Sequence, residues 1–308
     1  MGAAPPPPSS CQEEPVAETV TLVDAMAYIF RAYYSQAPRT APGGQPTGAS
    51  FGFLDFLLRL IVRESPSHLA VVFDSGPRSF RNALFPDYKA NRGAAPEDLL
   101  PQFAQCEAIS AALGLRVFKV ADHEADDVLA SLAAACRAAG SSVRIISGDK
   151  DLAQLVDEQV SVHDPARNKR FTPRTVPKQF GVAPGQMVDY LALTGDASDN
   201  VPGVRGVGPK GAAALLQALG SLDGIYAGLD QVPGLPIRGA KSLATRLAEH
   251  REAAYLSREL VALRRDLPLG VGPADLAYSG AERAACAALF AELGFAHLLA
   301  FVPRWREA

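Results

Sequence analysis

Short apolar runs alternate with amphipathic segments along the first half of the chain. Strands are predicted where β-branched and other apolar residues run together, at 19–23, 69–73, 115–119 and 142–147. Helices are predicted where apolar residues recur at helical spacing, at 27–34, 49–63, 99–113 and 124–139. Because strands and helices follow one another in this way, the pattern predicts an α/β fold with a mainly parallel central sheet flanked by helices.

The pattern divides the whole chain into three regions. Residues 1–18 contain four consecutive prolines and three glutamates, which predicts a disordered Pro-rich tail. Residues 19–180 form the α/β region, in which 75–98 is polar, basic and interrupted by prolines and therefore predicted to be mobile. Residues 181–308 are predicted to be mostly helical, with a glycine-rich interruption near 203–211.

The composition narrows the class of protein. A chain of 308 residues with 48% hydrophobic and 20% charged residues is typical of a folded soluble protein and excludes a fibrous or wholly disordered one. It contains no apolar run of about 18 residues, so no membrane span is expected. The four cysteines lie far apart and form no disulfide framework, which favours a cytoplasmic location. The net charge of −3 argues weakly against unspecific coating of nucleic acid.

Acidic residues follow the predicted strands or begin the segments beside them. In open α/β sheets, functional groups collect beyond the carboxyl ends of the strands. Nine carboxylates have this placement, at strand ends, at the start of the helix 124–139 and in the segment 194–200: Asp24, Asp74, Glu124, Asp126, Asp127, Asp149, Asp151, Asp196 and Asp199.

Metal binding explains this set better than structure alone. Taken singly, each residue is an ordinary turn or helix cap, but so many carboxylates in one pocket repel each other unless cations neutralise them. Histidine is scarce and only His123 adjoins the set, so oxygen ligands for Mg²⁺ or Mn²⁺ are favoured over a zinc site. Two such ions about 3.5–4 Å apart are typical of phosphodiester hydrolysis. The spacing therefore predicts a metal-dependent phosphoryl-transfer enzyme.

Basic residues are concentrated apart from these acids. Aromatic neighbours make several of them suitable for contacts with nucleic-acid phosphates and bases, although a solvated loop is an equal alternative. They lie in the segment 75–98 and in the first helix: Arg31, Arg78, Arg81, Lys89 and Arg92.

A glycine-rich segment begins a helix in the second half of the chain. It contains Gly203, Gly206 and Gly208 together with Arg205 and Lys210. Glycines allow a backbone to approach phosphate, and a helix N-terminus offers free N–H groups. The segment is not a Walker A loop, because its glycine spacing differs and no Ser or Thr follows the lysine. It is similar to the phosphate clamp of helix–hairpin–helix motifs, with a plain connector as the alternative.

Ordered blocks between residues 21 and 269 resemble the 5′→3′ exonuclease domain of bacterial DNA polymerase I, within the flap endonuclease superfamily. The blocks are Leu22-Val23-Asp24, Phe30-Arg31-Ala32-Tyr33, Pro46-Thr47-Gly48-Ala49, Val72-Phe73-Asp74, Phe80-Arg81, Tyr88-Lys89-Ala90-Asn91-Arg92, Glu124-Ala125-Asp126-Asp127, Ser147-Gly148-Asp149-Lys150-Asp151, Gly195-Asp196-Ala197-Ser198-Asp199-Asn200-Val201-Pro202-Gly203-Val204 and Gly206-Val207-Gly208-Pro209-Lys210.

The resemblance implies a helical arch at about 75–98 and a helix–three-turn–helix motif at about 186–220. It implies one Mg²⁺ site made by Asp24, Asp74, Glu124, Asp126 and Asp127, and a second made by Asp149, Asp151, Asp196 and Asp199. It further implies that Arg31 and Lys89 contact the scissile phosphate, with Arg81 and Arg92 in the arch nearby. The glycine hairpin would hold K⁺ through backbone carbonyls and so grip duplex DNA.

The activity implied is that of a structure-selective 5′→3′ exonuclease and 5′-flap endonuclease in replication and repair. Its substrates would be DNA with a 5′ flap, a nick or a 5′ end, and RNA primer–DNA hybrids. Because no polymerase region follows, we expect a stand-alone monomer that works beside a separate DNA polymerase. Two departures are Gly76, where the family often has a basic residue, and Arg205, where it has a small one. The alternatives are a non-catalytic module that binds branched DNA, and a PIN-type ribonuclease.

Overall fold

The computed structural model describes residues 18–307 and is built on one six-stranded sheet. The strands lie in the order β3-β2-β1-β4-β5-β6, and all neighbours are parallel except β5 and β6. Their bounds are β1 Thr19–Asp24, β2 His68–Val72, β3 Arg116–Phe118, β4 Ser142–Ile146, β5 Val160–Asp164 and β6 Lys169–Phe171.

Twelve α-helices occur in the described residues, and most of the second half is helical. Their bounds are α1 Ala25–Ser35, α2 Gly48–Glu64, α3 Arg81–Leu84, α4 Leu100–Ala112, α5 Ala125–Ala138, α6 Val176–Phe180, α7 Met187–Thr194, α8 Pro209–Leu219, α9 Leu222–Ala227, α10 Ala240–Glu249, α11 Arg251–Val261 and α12 Arg283–Glu292. No helix within residues 18–307 is long and apolar enough to cross a membrane.

Two apolar layers cover the two faces of the sheet. Alternate residues of β1 point to opposite faces, so Leu22 packs with α5 and the helical second half, whereas Val23 packs with α1, α2, α4 and α12. Both residues are fully buried. Burial on both faces explains why the central strands are continuous apolar runs. The strand ends are consequently held rigidly at one edge of the molecule.

The predicted fold class is confirmed, and two details differ. The strands β5 and β6 are additional, since their short, partly polar sequences give little strand signal. The segment 75–98 contains only the four-residue helix α3, because Pro77, Pro86 and Pro96 prevent a longer one. The predicted Pro-rich tail falls almost wholly outside the described residues. The cysteines inside them are all free and buried.

Candidate active site

The carboxyl edge of the sheet carries acidic side chains from three neighbouring strands. β1 ends at Asp24, β2 is followed two residues later by Asp74, and β4 is followed by Asp149. β1 pairs in parallel with both β2 and β4, so the three strand ends lie side by side. Neighbouring strands are about 4.8 Å apart, a spacing at which carboxylates repel each other strongly.

Asp24 is fixed in place by both of its oxygens. Oδ1 accepts a hydrogen bond from the backbone N–H of Ala27 at 3.3 Å and so caps α1, and Oδ2 accepts one from the Ser147 hydroxyl at 2.7 Å. The side chain is only 6% exposed. Burial raises the pKa of Asp24 to about 7, and the charge of Asp74 adds to the rise although the Ser147 bond opposes it. A nearby cation would therefore be needed to stabilise the ionised form of Asp24.

Asp126 faces these strand-end acids from the first turn of α5. Burial raises its pKa well above the usual value, and the charges of Asp149, Asp24 and Asp74 raise it further. Burial also raises the pKa of Asp74, although its Oδ1 accepts the N–H of Ala125 at 2.7 Å. The four side chains thus form one electrostatic group, as the prediction of a shared pocket requires.

Glu124 and Asp199 are joined by two neighbouring residues of the 75–98 segment. The Tyr88 hydroxyl lies 3.2 Å from an oxygen of each acid, and the Lys89 ammonium lies 2.7 Å from Glu124 and 3.7 Å from Asp199. Lys89 has a left-handed φ of 58°, and its backbone N–H donates to the Asp199 carbonyl at 2.9 Å. Burial opposes ionisation of Glu124, but the Lys89 charge outweighs it and lowers the pKa. The structure therefore places Lys89 beside the acidic side chains at the carboxyl edge of the sheet, which we call the acidic edge.

Asp151 and Asp196 form the third part of the edge. Asp196 Oδ1 accepts the backbone N–H and the hydroxyl of Ser198 at 2.7 and 2.5 Å, and Oδ2 accepts a hydrogen bond from the Lys150 ammonium. Burial raises the pKa of Asp151 to about 7, with Asp149 as the next contributor. Asp151 Oδ1 is buried and has no hydrogen-bond partner within the described residues.

The donor set at this edge fits hard divalent cations. The acidic side chains supply carboxylate oxygens, which suit Mg²⁺ or Mn²⁺, and the unpartnered Asp151 Oδ1 is a free ligand atom. Within residues 18–307, no three acidic, histidine or cysteine side chains lie close enough to enclose an ion as they stand. At part of the edge, cationic side chains occupy the carboxylates: Lys89 and Arg92 pair with Glu124 and Asp199, and Lys150 pairs with Asp196.

Two predicted site residues, Asp127 and Arg81, need correction because they bind each other. The Arg81 guanidinium makes two hydrogen bonds to the Asp127 carboxylate, at 2.7 and 2.8 Å, and the side chains are 1% and 0% exposed. Asp127 also accepts the N–H of Arg264 at 2.9 Å, and Arg81 donates to the carbonyls of Leu260 and Ala262. Asp127 therefore does not face the acidic edge, and Arg81 is not free to contact DNA.

The other predicted basic residues differ in how close they lie to the edge. Arg92 binds Asp199 and lies 3.3 Å from the carbonyl of Ser198. Arg78 is exposed at the rim of the 75–98 segment. Arg31 is exposed on α1 and lines a cleft between α1 and α2, without a contact to the acids in the described structure. Of the two residues expected at the scissile phosphate, only Lys89 is at the carboxylates.

The loop between α7 and α8 is closed by two glycines. Gly195 and Gly203 have φ values of 66° and 62°, and a Cβ added to Gly203 would lie 2.4 Å from the Gly195 nitrogen. This close approach of the two backbones closes the base of the loop segment that carries Asp196 and Asp199. The buried Ser257 hydroxyl of α11 accepts the Gly203 N–H at 2.9 Å, so the helical region directly fixes the position of these acids.

The remainder of this loop forms the predicted glycine hairpin. Gly206 has a φ of 79°, and a Cβ there would lie 3.1 Å from Nε of Arg246, whose side chain covers it. Gly208 is the N-cap of α8. Arg205 and Lys210 are exposed and form no ion pair within the described residues. The hairpin thus presents free N–H groups and two unpaired cations to solvent.

Sequence reasoning missed four residues that organise the site. Ser147 and Lys150 lie inside the acidic block after β4, and Tyr88 precedes Lys89, so their positions in the motifs were the available signal. Ser257 lies in a helix without any motif, and only the three-dimensional structure connects it to Gly203.

A mainly parallel sheet with an acidic carboxyl edge, joined to a helical region with a glycine hairpin, defines the class of 5′-nuclease folds. Two family models match the chain, "5'-3' exonuclease, N-terminal resolvase-like domain" over residues 19–181 and "5'-3' exonuclease, C-terminal SAM fold" over residues 182–284. The chain belongs to the 5′-3′ exonuclease family, and it is a nuclease.

Relatives support this membership. A 5'-3' exonuclease of Buchnera aphidicola subsp. Schizaphis graminum is 32% identical over 253 residues, which cover 82% of this chain and 88% of that protein. DNA polymerase I of Pseudomonas aeruginosa is 44% identical over 282 residues, covering 91% of this chain but 31% of the polymerase. The chain thus spans about a third of the length of the polymerase relatives. The T5 D15 protein, co-crystallised with metal ions, has the same fold, with a TM-score of 0.66, 20% identity and coverage of 92% and 99%.

Proposed function

We propose that this chain is a Mg²⁺-dependent, structure-selective 5′-nuclease that works by a two-metal mechanism. The observation that carries the proposal is the position of Asp126, which faces three strand-end acids in one electrostatic group beside the second acidic pair, Asp151 and Asp196. Such a concentration of carboxylates has no stabilising value without cations. The Buchnera relative, a 5'-3' exonuclease, supports cleavage from a 5′ end.

The carboxylates would hold the ions in two groups. Asp24, Asp74 and Asp126 would bind the first, and Asp149, Asp151 and Asp196 the second. When bound, such ions activate water and stabilise the charge that develops on the phosphate. The chain's own basic residues act beside them: Lys89 and Arg92, now held by Glu124 and Asp199, are positioned to turn to a phosphate that enters the edge.

Selectivity for a DNA structure would come from the helical region. Arg205 and Lys210 lie on the hairpin and contact backbone phosphates, which are the same in every sequence. We place K⁺ at the carbonyls of this hairpin as a further bridge to the duplex. The substrates on this reading are 5′ flaps, nicks and 5′ ends of DNA, and RNA primers paired with DNA. A separate polymerase would supply such substrates, and the chain would act as a monomer.

The test is cleavage of defined substrates by the purified chain. A 5′-labelled flap duplex, a nicked duplex and a single strand are incubated across a tenfold range of Mg²⁺, with EDTA as the blank. The proposal expects Mg²⁺-dependent cuts near the flap junction and slower loss of the single strand. Replacing Asp149→Asn should abolish cutting and leave DNA binding. Binding without cutting in Mg²⁺ or Mn²⁺ would instead indicate a module that only recognises branched DNA.

A further inference from the structure

Lys150 lies in the middle of the second acidic group. It stands between Asp149 and Asp151 in the sequence, directly after β4. Its ammonium donates a hydrogen bond to Asp196 Oδ2 and lies 3.6 Å from Asp151 Oδ1. It therefore bridges carboxylates from two separate segments, the end of β4 and the loop after α7.

The two carboxylate oxygens near this ammonium differ in their hydrogen bonding. Asp196 Oδ2 is hydrogen-bonded to it, whereas Asp151 Oδ1 is buried and has no hydrogen-bond partner in the described residues. A buried carboxylate oxygen without a donor is costly unless a charge lies nearby. The Lys150 ammonium supplies this charge without donating a hydrogen bond to Asp151 Oδ1. It therefore satisfies Asp196 but only partly compensates Asp151.

A cation between Asp151 and Asp196 must compete with the ammonium. A divalent ion needs the same oxygens at 2.0–2.1 Å for Mg²⁺, and two positive charges cannot share so small a space without strong repulsion. The Lys150 side chain is 44% exposed and has a flexible four-carbon stem, so it can withdraw into solvent.

We infer that Lys150 is an internal counter-ion that occupies the position of a divalent cation between Asp151 and Asp196, and that a cation binds there by displacing it. The inference rests on the proposed function, because it takes these acids as ligands. Lys150 stabilises the metal-free protein and weakens metal binding at this position. It is a positioning residue, since it acts through the two carboxylates.

Calorimetric titration of the full chain with Mg²⁺, without DNA, tests this inference. The variants are Lys150→Met, which removes the charge, Lys150→Arg, which keeps it, and Lys119→Met as a control. Lys119 forms a 2.6 Å ion pair with Glu107 away from the acidic group. We expect the Lys150→Met variant to bind the more weakly held of the two Mg²⁺ ions on the order of tenfold more tightly than the wild type does. The Lys150→Arg and Lys119→Met variants should bind this ion no more tightly than the wild type.

Thermal unfolding gives an independent readout. Without divalent ions, Lys150→Met should unfold at a lower temperature than Lys119→Met, and Mg²⁺ should raise its midpoint by more than it raises that of the wild type. If the wild type binds Mg²⁺ and Lys150→Met binds it equally or more weakly, the inference is wrong while the proposed function stands. If the wild type binds no Mg²⁺ or Mn²⁺, the proposed function and the inference both fail.

Discussion

Arg81 and Asp127, which are 46 residues apart in the sequence, form a two-pronged ion pair that is almost fully buried. The pair ties α3 to the first turn of α5, and Arg81 also donates to the Leu260 carbonyl at the end of α11. It therefore joins the 75–98 segment, the sheet region and the helical region at one point. Its role follows from this position and is structural.

Breaking this pair should destabilise the protein severely. Replacing Arg81→Met or Asp127→Asn leaves an unpaired buried group, so we expect each to cost about 3–5 kcal/mol of unfolding free energy. Urea unfolding measures the loss. Arg59→Met is the control, since Arg59 pairs with Asp55 on the surface and should cost under about 1 kcal/mol. Equal stability of the Arg81 and Arg59 variants would contradict the structural role.

The glycine at the base of the acidic loop should not tolerate a side chain. Gly203→Ala forces a Cβ onto the Gly195 backbone at a positive φ, so we expect a loss of about 1–3 kcal/mol and slower cleavage. Gly234→Ala is the matched control, because Gly234 lies outside the hairpin, has open space around it and has no positive φ. Thermal unfolding and cleavage rates check both, and two equally active variants would refute the role of the close approach.

DNA binding should weaken steeply with salt, and the hairpin cations should account for part of the slope. We expect the double variant Arg205→Ala/Lys210→Ala to reduce the slope of log K against log salt concentration by about 2. Arg283→Ala, on α12 at the opposite face of the sheet, should leave it unchanged. Fluorescence anisotropy with a labelled duplex measures the slopes. A flat response in the wild type would mean that the basic surface is wrongly assigned.

Acid should destabilise the protein partly through His163. Burial is the largest cause that lowers the pKa of His163 to about 4. The positive charges of Arg144, Arg170 and Arg63 also lower this pKa, and the negative charge of Glu64 raises it. The unfolded chain, with a histidine pKa of about 6.5, therefore binds the proton more readily. The neutral histidine's contribution is complete above about pH 6.5 and is lost as the pH falls towards 4. We expect His163→Gln to lose less unfolding free energy between pH 7 and pH 5 than the wild type in urea unfolding. An unchanged pH dependence would exclude this group.

The sequence predicts which site residues lie together where those residues follow strands that are adjacent in the sheet. Asp24 and Asp74 could be placed together because they end adjacent parallel strands. Asp127 could not be placed correctly, because its spacing from Glu124 indicated a shared helix face, while its true partner, Arg81, comes from a distant segment. The same applies to 75–98: its polar sequence predicted mobility, but Lys89 bonds to Asp199 from the far half of the chain.

The most direct test of the central claim compares cleavage and binding for one carboxylate. In Asp126→Asn, we expect single-turnover cleavage of a 5′-flap duplex in Mg²⁺ to fall by about 10³-fold or more, since several kcal/mol of transition-state stabilisation are lost. DNA affinity should remain or increase, because one negative charge is removed. The control Asp122→Asn, an exposed acid four residues earlier, should cut at the wild-type rate. Undiminished cleavage by Asp126→Asn would contradict the assignment of the acidic edge as the active site.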